Sequence, residues 1–168
     1  MSTQIYEGYK KLWNHVPRHL NTTRPNGSNL FYGFSDAAIA NAEDNRSVSR
    51  YVYLSNGGAI SWGSKKQTSI ALSSTKAEYM AHLEASREAM WLQNLFRELG
   101  YIQKEPILLL GDNDGSIAMA KNPEFYKRTK HVDIRWHWVR ELVNNRLINI
   151  VDCHDPEQTA DILTKQLP

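Results

Sequence analysis

The chain has 168 residues, 41% of them hydrophobic and 23% charged, and its 20 Lys and Arg against 18 Asp and Glu leave a net charge of +2. That length suits one domain with a buried core, and that charge excludes a blanket polycation, so nucleic-acid binding would need a local basic patch. The longest purely aliphatic run, residues 107–110, is too short for a membrane span; no secretory signal opens the chain, which predicts an intracellular location; and the single cysteine, Cys153, excludes an internal disulfide or a cysteine-based zinc site.

In chain order, Ile5, Tyr9, Leu12, Trp13 and Val16 recur at near-helical spacing and predict an amphipathic helix in residues 1–20. "NTTRPNGSN", residues 21–29, is a polar linker. Residues 1–28 are therefore set apart from a domain over 29–168. "LFYGFSDAA" opens that domain with an apolar, aromatic run, residues 30–34, that ends in Ser35 and Asp36. In "SVSRYVYLSNGGAISWGSKKQ", Val48, Val52 and Leu54 fall at even steps and Asn56-Gly57 is a favoured tight-turn pair. Ile60 and Trp62 alternate with Ser61 and Gly63 on the way back, which completes a hairpin.

From Ser74 the period changes. Ala77, Ala81, Ala85, Ala89, Leu92, Phe96 and Leu99 follow steps of three and four, a helix closed by Gly100. "EPILLLGDND", residues 105–114, reads as a strand buried on both faces that stops at Gly111 and delivers Asp112. "GSIAMAKN" predicts a short helix ending before Pro123, and "HVDIRWHWVRELV" another with Val132, Trp136, Val139 and Val143 on one face. "LINIVDC" is a short strand, and Asp155-Pro156 begins a last helix. Tryptophans 62, 91 and 136 are expected in the core. A hairpin-led sheet with later crossovers is a mixed α/β sheet flanked by helices.

Two strands that end in an acid place Asp36 and Asp112 side by side at one sheet edge. Glu78 in the long helix and Asp161 in the last helix are the other acids that could reach it. Each has a plain structural explanation. Thr75 and Glu78 match the S/T-x-x-E capping box; Asp112 fits a turn or a helix cap; Asp161, between Ala160 and Ile162, fits a solvated face. Taken together they point elsewhere, because strand ends in α/β sheets are where sites form. Carboxylates gathered there repel one another unless cations hold them. Oxygen ligands of this kind select Mg²⁺ or Mn²⁺, and two such ions about 4 Å apart serve in-line phosphodiester cleavage.

"ISWGSKKQTSIALSSTKAEYMA", "LLLGDNDGSIAMAKNP", "RTKHVDIRWHWVRE" and "ADILTKQLP" resemble, in order and spacing, the ribonuclease H domain of copia-type LTR-retrotransposon Gag-Pol polyproteins. The resemblance covers roughly residues 29 to 168, and the N-terminal helix is similar to the segment that joins reverse transcriptase to this domain. It implies a ribonuclease H-like fold, a five-stranded mixed sheet with its first three strands antiparallel and helices around it. It implies hydrolysis of the RNA strand of RNA–DNA hybrids during reverse transcription, with two Mg²⁺ ions for which Mn²⁺ can substitute. The family's S-D-A aspartate falls on Asp36, its A-E-Y glutamate on Glu78, its D-N aspartate on Asp112 and its A-D-I-L-T-K aspartate on Asp161. The implied partners are the hybrid and the reverse transcriptase domain of the same polyprotein, with no membrane. The implied location is the cytoplasm, in a virus-like particle, or the nucleus.

The chain departs from the family at Ala38 and Ile39, where relatives usually read S-D-A-D-W, at Arg50 for a common glycine, and at Asp114, where D-N-Q is usual. His154, seven residues before Asp161, stands where many ribonucleases H carry a loop histidine for proton transfer or product release. Lys121, Lys127, Arg128, Lys130 and Arg135, with Lys65 and Lys66, form either a solvated surface or a phosphate track interleaved with Phe125 and Tyr126. Asn113 is a candidate for a sugar or base-edge hydrogen bond, with Asp114 beside the substrate. His131 and His137, six apart, lack the spacing of a helical zinc pair. The alternative to an enzyme is a weakened or domesticated ribonuclease H fold that binds nucleic acid or supports a polymerase.

Overall fold

The computed structural model describes residues 30–38, 45–56, 58–122 and 134–153. Within them five strands form one sheet: β1 (Tyr32–Ala38), β2 (Val48–Ser55), β3 (Gly58–Lys66), β4 (Ile107–Gly111) and β5 (Ile148–Asp152). Three helices are described with them. α1 (Ser74–Glu98) connects β3 to β4, and α2 (Asp114–Lys121) and α3 (Ile134–Asn144) lie between β4 and β5. The helices expected in residues 1–20 and from Asp155 fall outside the described residues, as do Ile39, His131 and Val132.

The spatial order is β3-β2-β1-β4-β5. β2 pairs antiparallel with both β1 and β3, whereas β4 pairs parallel with both β1 and β5. This is the expected mixed sheet. The hairpin turns where the Asn56-Gly57 pair predicts, with Ser55 opposite Gly58 and Asn56 at a φ of 50°, a left-handed conformation that asparagine tolerates.

Side chains alternate across the strands and so feed two apolar layers. On one face Phe31, Tyr53, Ile107, Leu109, Ile148 and Ile150 pack with Leu83, Ala85, Ala89 and Leu92 of α1, Ile117 of α2 and Val139 of α3. On the other, Tyr32, Phe34, Val52, Leu54 and Leu110 pack with Cys153. Leu109 and Leu110 thus serve opposite layers, which is why β4 reads as one apolar run. Leu109 is wholly buried, and burial of such a side chain contributes roughly 2 kcal/mol. The Tyr53 hydroxyl donates to the Ala85 carbonyl at 2.8 Å, pinning α1 to β2. Its ring crosses Gly33, its register partner, where a Cβ would lie 2.3 Å from Tyr53 Cε1. Only glycine fits there.

Two tryptophans correct the sequence expectation. Trp62 is 53% exposed and Trp91 56% exposed. Trp62 lies on β3, an edge strand, and Trp91 falls outside the Ala77-to-Leu92 stripe that α1 buries. Trp136 does pack against the core, stacking on Tyr79 with ring centroids 4.9 Å apart.

Candidate metal centre

Asp36 does not end its strand, as the apolar run over 30–34 predicts. β1 continues to Ala38 because β2 pairs with it as far as Ala38–Val48, while β4 stops at Gly111. The parallel register sets Tyr32 against Leu108 and Phe34 against Leu110. Two residues beyond Phe34 and Leu110 stand Asp36, still on β1, and Asp112, the first residue after β4, so the register alone brings these acids level.

Glu78 arrives from α1. The helix is capped by Ser73, whose side chain accepts the Lys76 N–H at 3.3 Å. Thr75 is therefore already inside the helix, and Glu78 lies too far along to close a capping box. It is instead buried, at 7% exposure. Ala77 and Ala81 pack on Ala37 of β1; these methyl side chains let helix and strand approach closely enough for Glu78 to face Asp36.

Asp112 is exposed and does not cap α2. That role belongs to Asn113, whose Oδ1 accepts the Ser116 N–H at 2.9 Å. Asp114 is the exposed first residue of α2, where its charge suits the positive end of the helix. Lys65, Lys66 and Lys121 are exposed, and Lys65 Nζ lies 3.5 Å from Glu84 Oε2. Asp161, His154, Lys127, Arg128 and Lys130 lie outside the described residues.

One carboxylate oxygen from each of Asp36, Glu78 and Asp112 lies within 4.8 Å of the others. Three anionic donors this close, two of them buried, repel one another strongly unless a cation intervenes. An all-carboxylate set open to solvent on the Asp112 side fits a hard divalent ion such as Mg²⁺ or Mn²⁺. The donor chemistry therefore suits the metal that the resemblance implies.

Two further residues shape the centre. Arg50, the register partner of Asp36, places its Nη1 3.5 Å from Asp36 Oδ2. His82 is wholly buried one helical turn beyond Glu78. Its Nδ1 lies 2.7 Å from Ser35 Oγ and its Nε2 2.8 Å from Ser116 Oγ. The Ser116 hydroxyl donates its one proton to the Asn113 carbonyl at 2.8 Å. Its oxygen must then accept from His82 Nε2–H, which leaves Nδ1 to accept the Ser35 hydroxyl. Burial lowers the imidazole to about 4, so it is neutral. His82 also lies against Gly111, where a Cβ would sit 2.5 Å from His82 Cε1. The one ring thus touches β1 beside Asp36, β4 before Asp112, and the start of α2. In the sequence His82 carries one signal only, a polar residue four places after Glu78 on the buried side of the alanine stripe.

A sheet in this order, with its described helices packed on one face and three acids where β1, β4 and α1 meet, defines a ribonuclease H-like domain. Solved structures share the fold. The N-terminal ribonuclease H domain of a Mycobacterium tuberculosis protein superposes with a TM-score of 0.53 at 13% identity, covering 78% of this chain and 87% of that one. The LC11 ribonuclease H1 isolated from compost by a metagenomic approach gives 0.51 at 17% identity, covering 80% and 92%. No protein-family model matches the chain. In sequence it is 42% identical, over 83% of its length, to the retrovirus-related Pol polyprotein from transposon TNT 1-94 of Nicotiana tabacum. It is 34% identical, over 90% of its length, to that from transposon RE1 of Arabidopsis thaliana. The chain belongs to the retrovirus-related Pol polyproteins of transposons, and it spans 10% of the length of each of these two relatives.

Proposed function

We propose that the domain is an endoribonuclease that hydrolyses the RNA strand of RNA–DNA hybrids during reverse transcription, as part of a copia-type Gag-Pol polyprotein. The observation that carries the proposal is the meeting of Asp36, Glu78 and Asp112 within 4.8 Å. With Asp161 as the fourth acid, these residues would hold two Mg²⁺ ions, or Mn²⁺ in their place. Bound there, such ions supply an activated water and charge neutralisation at the leaving oxygen of a phosphodiester.

The chain's own contribution is placement. Asp36 lies on β1 and Asp112 directly follows β4, whose parallel register with β1 sets the two level, and Glu78 is held by the close alanine packing of α1 on β1. Lys127, Arg128 and Lys130 would bind backbone phosphates, which positions the hybrid without reading its sequence. The Oδ1 of Asn113 is engaged in the α2 cap, so a contact to a sugar or base edge falls to its amide nitrogen. Asp114 would lie beside the substrate and weaken binding through its charge. His154 would move a proton or assist product release. Residues 1–28 would connect the domain over 29–168 to reverse transcriptase, and the assembly would work in the cytoplasm, in a virus-like particle, or in the nucleus. Among the described residues no helix is long and apolar enough to cross a membrane.

A second reading, a non-catalytic module that binds nucleic acid or supports a polymerase, is favoured by one observation: Arg50 offers Asp36 a positive partner from within the chain. A gel assay separates the two. Cleavage of a labelled hybrid in Mg²⁺ and its loss in EDTA support the enzyme; hybrid binding without cleavage in either condition supports the module.

A further inference from the structure

Asp36 and Arg50 are Cα partners in the antiparallel β1–β2 pair, and directly opposed residues project from the same face of a sheet. Their side chains are 9% and 10% exposed and meet at 3.5 Å. Solvent therefore screens the pair poorly. The Arg50 side chain reaches into the very cluster whose three acids converge within 4.8 Å. A guanidinium keeps its charge throughout the accessible pH range. Its effect on the cluster can be relieved only by moving it, never by deprotonating it.

We propose that Arg50 competes with divalent cations for Asp36 and thereby sets the metal affinity of this site. The inference rests on the proposed metal centre and adds a residue to it. A divalent ion that takes Asp36 as a ligand must displace the guanidinium or share the cluster with it. Either course costs binding free energy, the first by breaking an ion pair and the second by repulsion between like charges. The site accordingly fills at a higher Mg²⁺ concentration than the same three acids would need without Arg50.

Calorimetric titration of the whole chain with MgCl₂ tests this without recourse to activity. Asp112→Asn is titrated first: loss of the binding heat shows that the ion sits at this cluster, so failure of the site and failure of the Arg50 inference are told apart. Arg50→Met, which keeps length and loses charge, is expected to bind Mg²⁺ at least about tenfold more tightly. Arg50→Lys, which keeps the charge, is expected to stay within about threefold of the parent. Equal affinity in Arg50→Met and the parent overturns the proposal, as does a lysine variant that binds as tightly as the methionine one. Should Arg50→Met fail to fold, the parent decides. The Arg50 guanidinium resonances, followed by NMR, must shift as Mg²⁺ saturates the site, whether the ion displaces the group or sits beside it; unchanged resonances overturn the proposal.

Discussion

His82 Nδ1 accepts the hydroxyl proton of Ser35 at 2.7 Å, so the residue next to Asp36 is tied to the residue one helical turn beyond Glu78. Two of the three converging acids are therefore joined from behind, through a buried neutral imidazole that also reaches Ser116 at the start of α2. This link gives the domain an acid-sensitive point. The imidazole's folded value, about 4, lies below the 6.5 of an exposed histidine. Between those values the unfolded chain binds a proton that the folded chain refuses. The stability contributed by neutral His82 is therefore whole above about pH 6.5 and is lost as pH falls toward about 4, by at most about 1.4 kcal/mol per pH unit. Denaturant midpoints of the parent and of His82→Gln between pH 4 and 6.5 check this. The parent should show the steeper fall, and equal slopes would contradict it.

Gly111 offers a second test of the same post. A methyl group there would meet His82 Cε1 at 2.5 Å, closer than packed atoms allow. Gly111→Ala should destabilise the domain by about 1–3 kcal/mol, since the ring is held by two hydrogen bonds and cannot withdraw freely. It should also displace Asp112, the next residue, and weaken Mg²⁺ binding. Thermal unfolding and metal titration of the one variant measure both effects. A variant as stable as the parent would show that the ring yields.

The elements were legible where periodicity was strong and local. The Asn56-Gly57 hairpin, the alanine stripe of α1 and the two-faced run of β4 all announce themselves within a dozen residues. Asp36, Glu78 and Asp112 stood out because each sits beside a recognisable strand or helix signal. What could not be read is what depends on register between distant segments. Arg50 faces Asp36 only because the β1–β2 pairing sets residue 36 against residue 50. His82 joins Ser35 and Ser116, which lie 47 and 34 residues away in sequence. The capping-box match at Thr75 is a chance one: Ser73, two residues earlier, takes the cap. Trp62 misled because apolar alternation along a strand does not reveal that the strand is an edge.

The basic segment after α2 carries a prediction about the substrate. If Lys127, Arg128 and Lys130 bind phosphates, replacing all three with Ala should weaken binding to every hybrid sequence about equally. The slope of log affinity against log salt should flatten by about one unit per lost contact. Asp114→Gln removes an exposed negative charge and should tighten binding. Affinities at several salt concentrations for the parent and both variants check the point, and an unchanged slope in the triple variant would return the cluster to solvated surface.

Hybrid cleavage by Asp112→Asn tests the central claim most directly. The substitution keeps the shape of an exposed side chain that does not cap α2, and it removes one of the three charges that converge on the proposed metal centre. Mg²⁺-dependent cleavage of a labelled RNA–DNA hybrid should fall by orders of magnitude in the variant, on the order of a hundredfold or more, while its affinity for the hybrid stays close to the parent's. Cleavage at the parent's rate would show that Asp112 is a turn residue and that these acids do not form a catalytic centre.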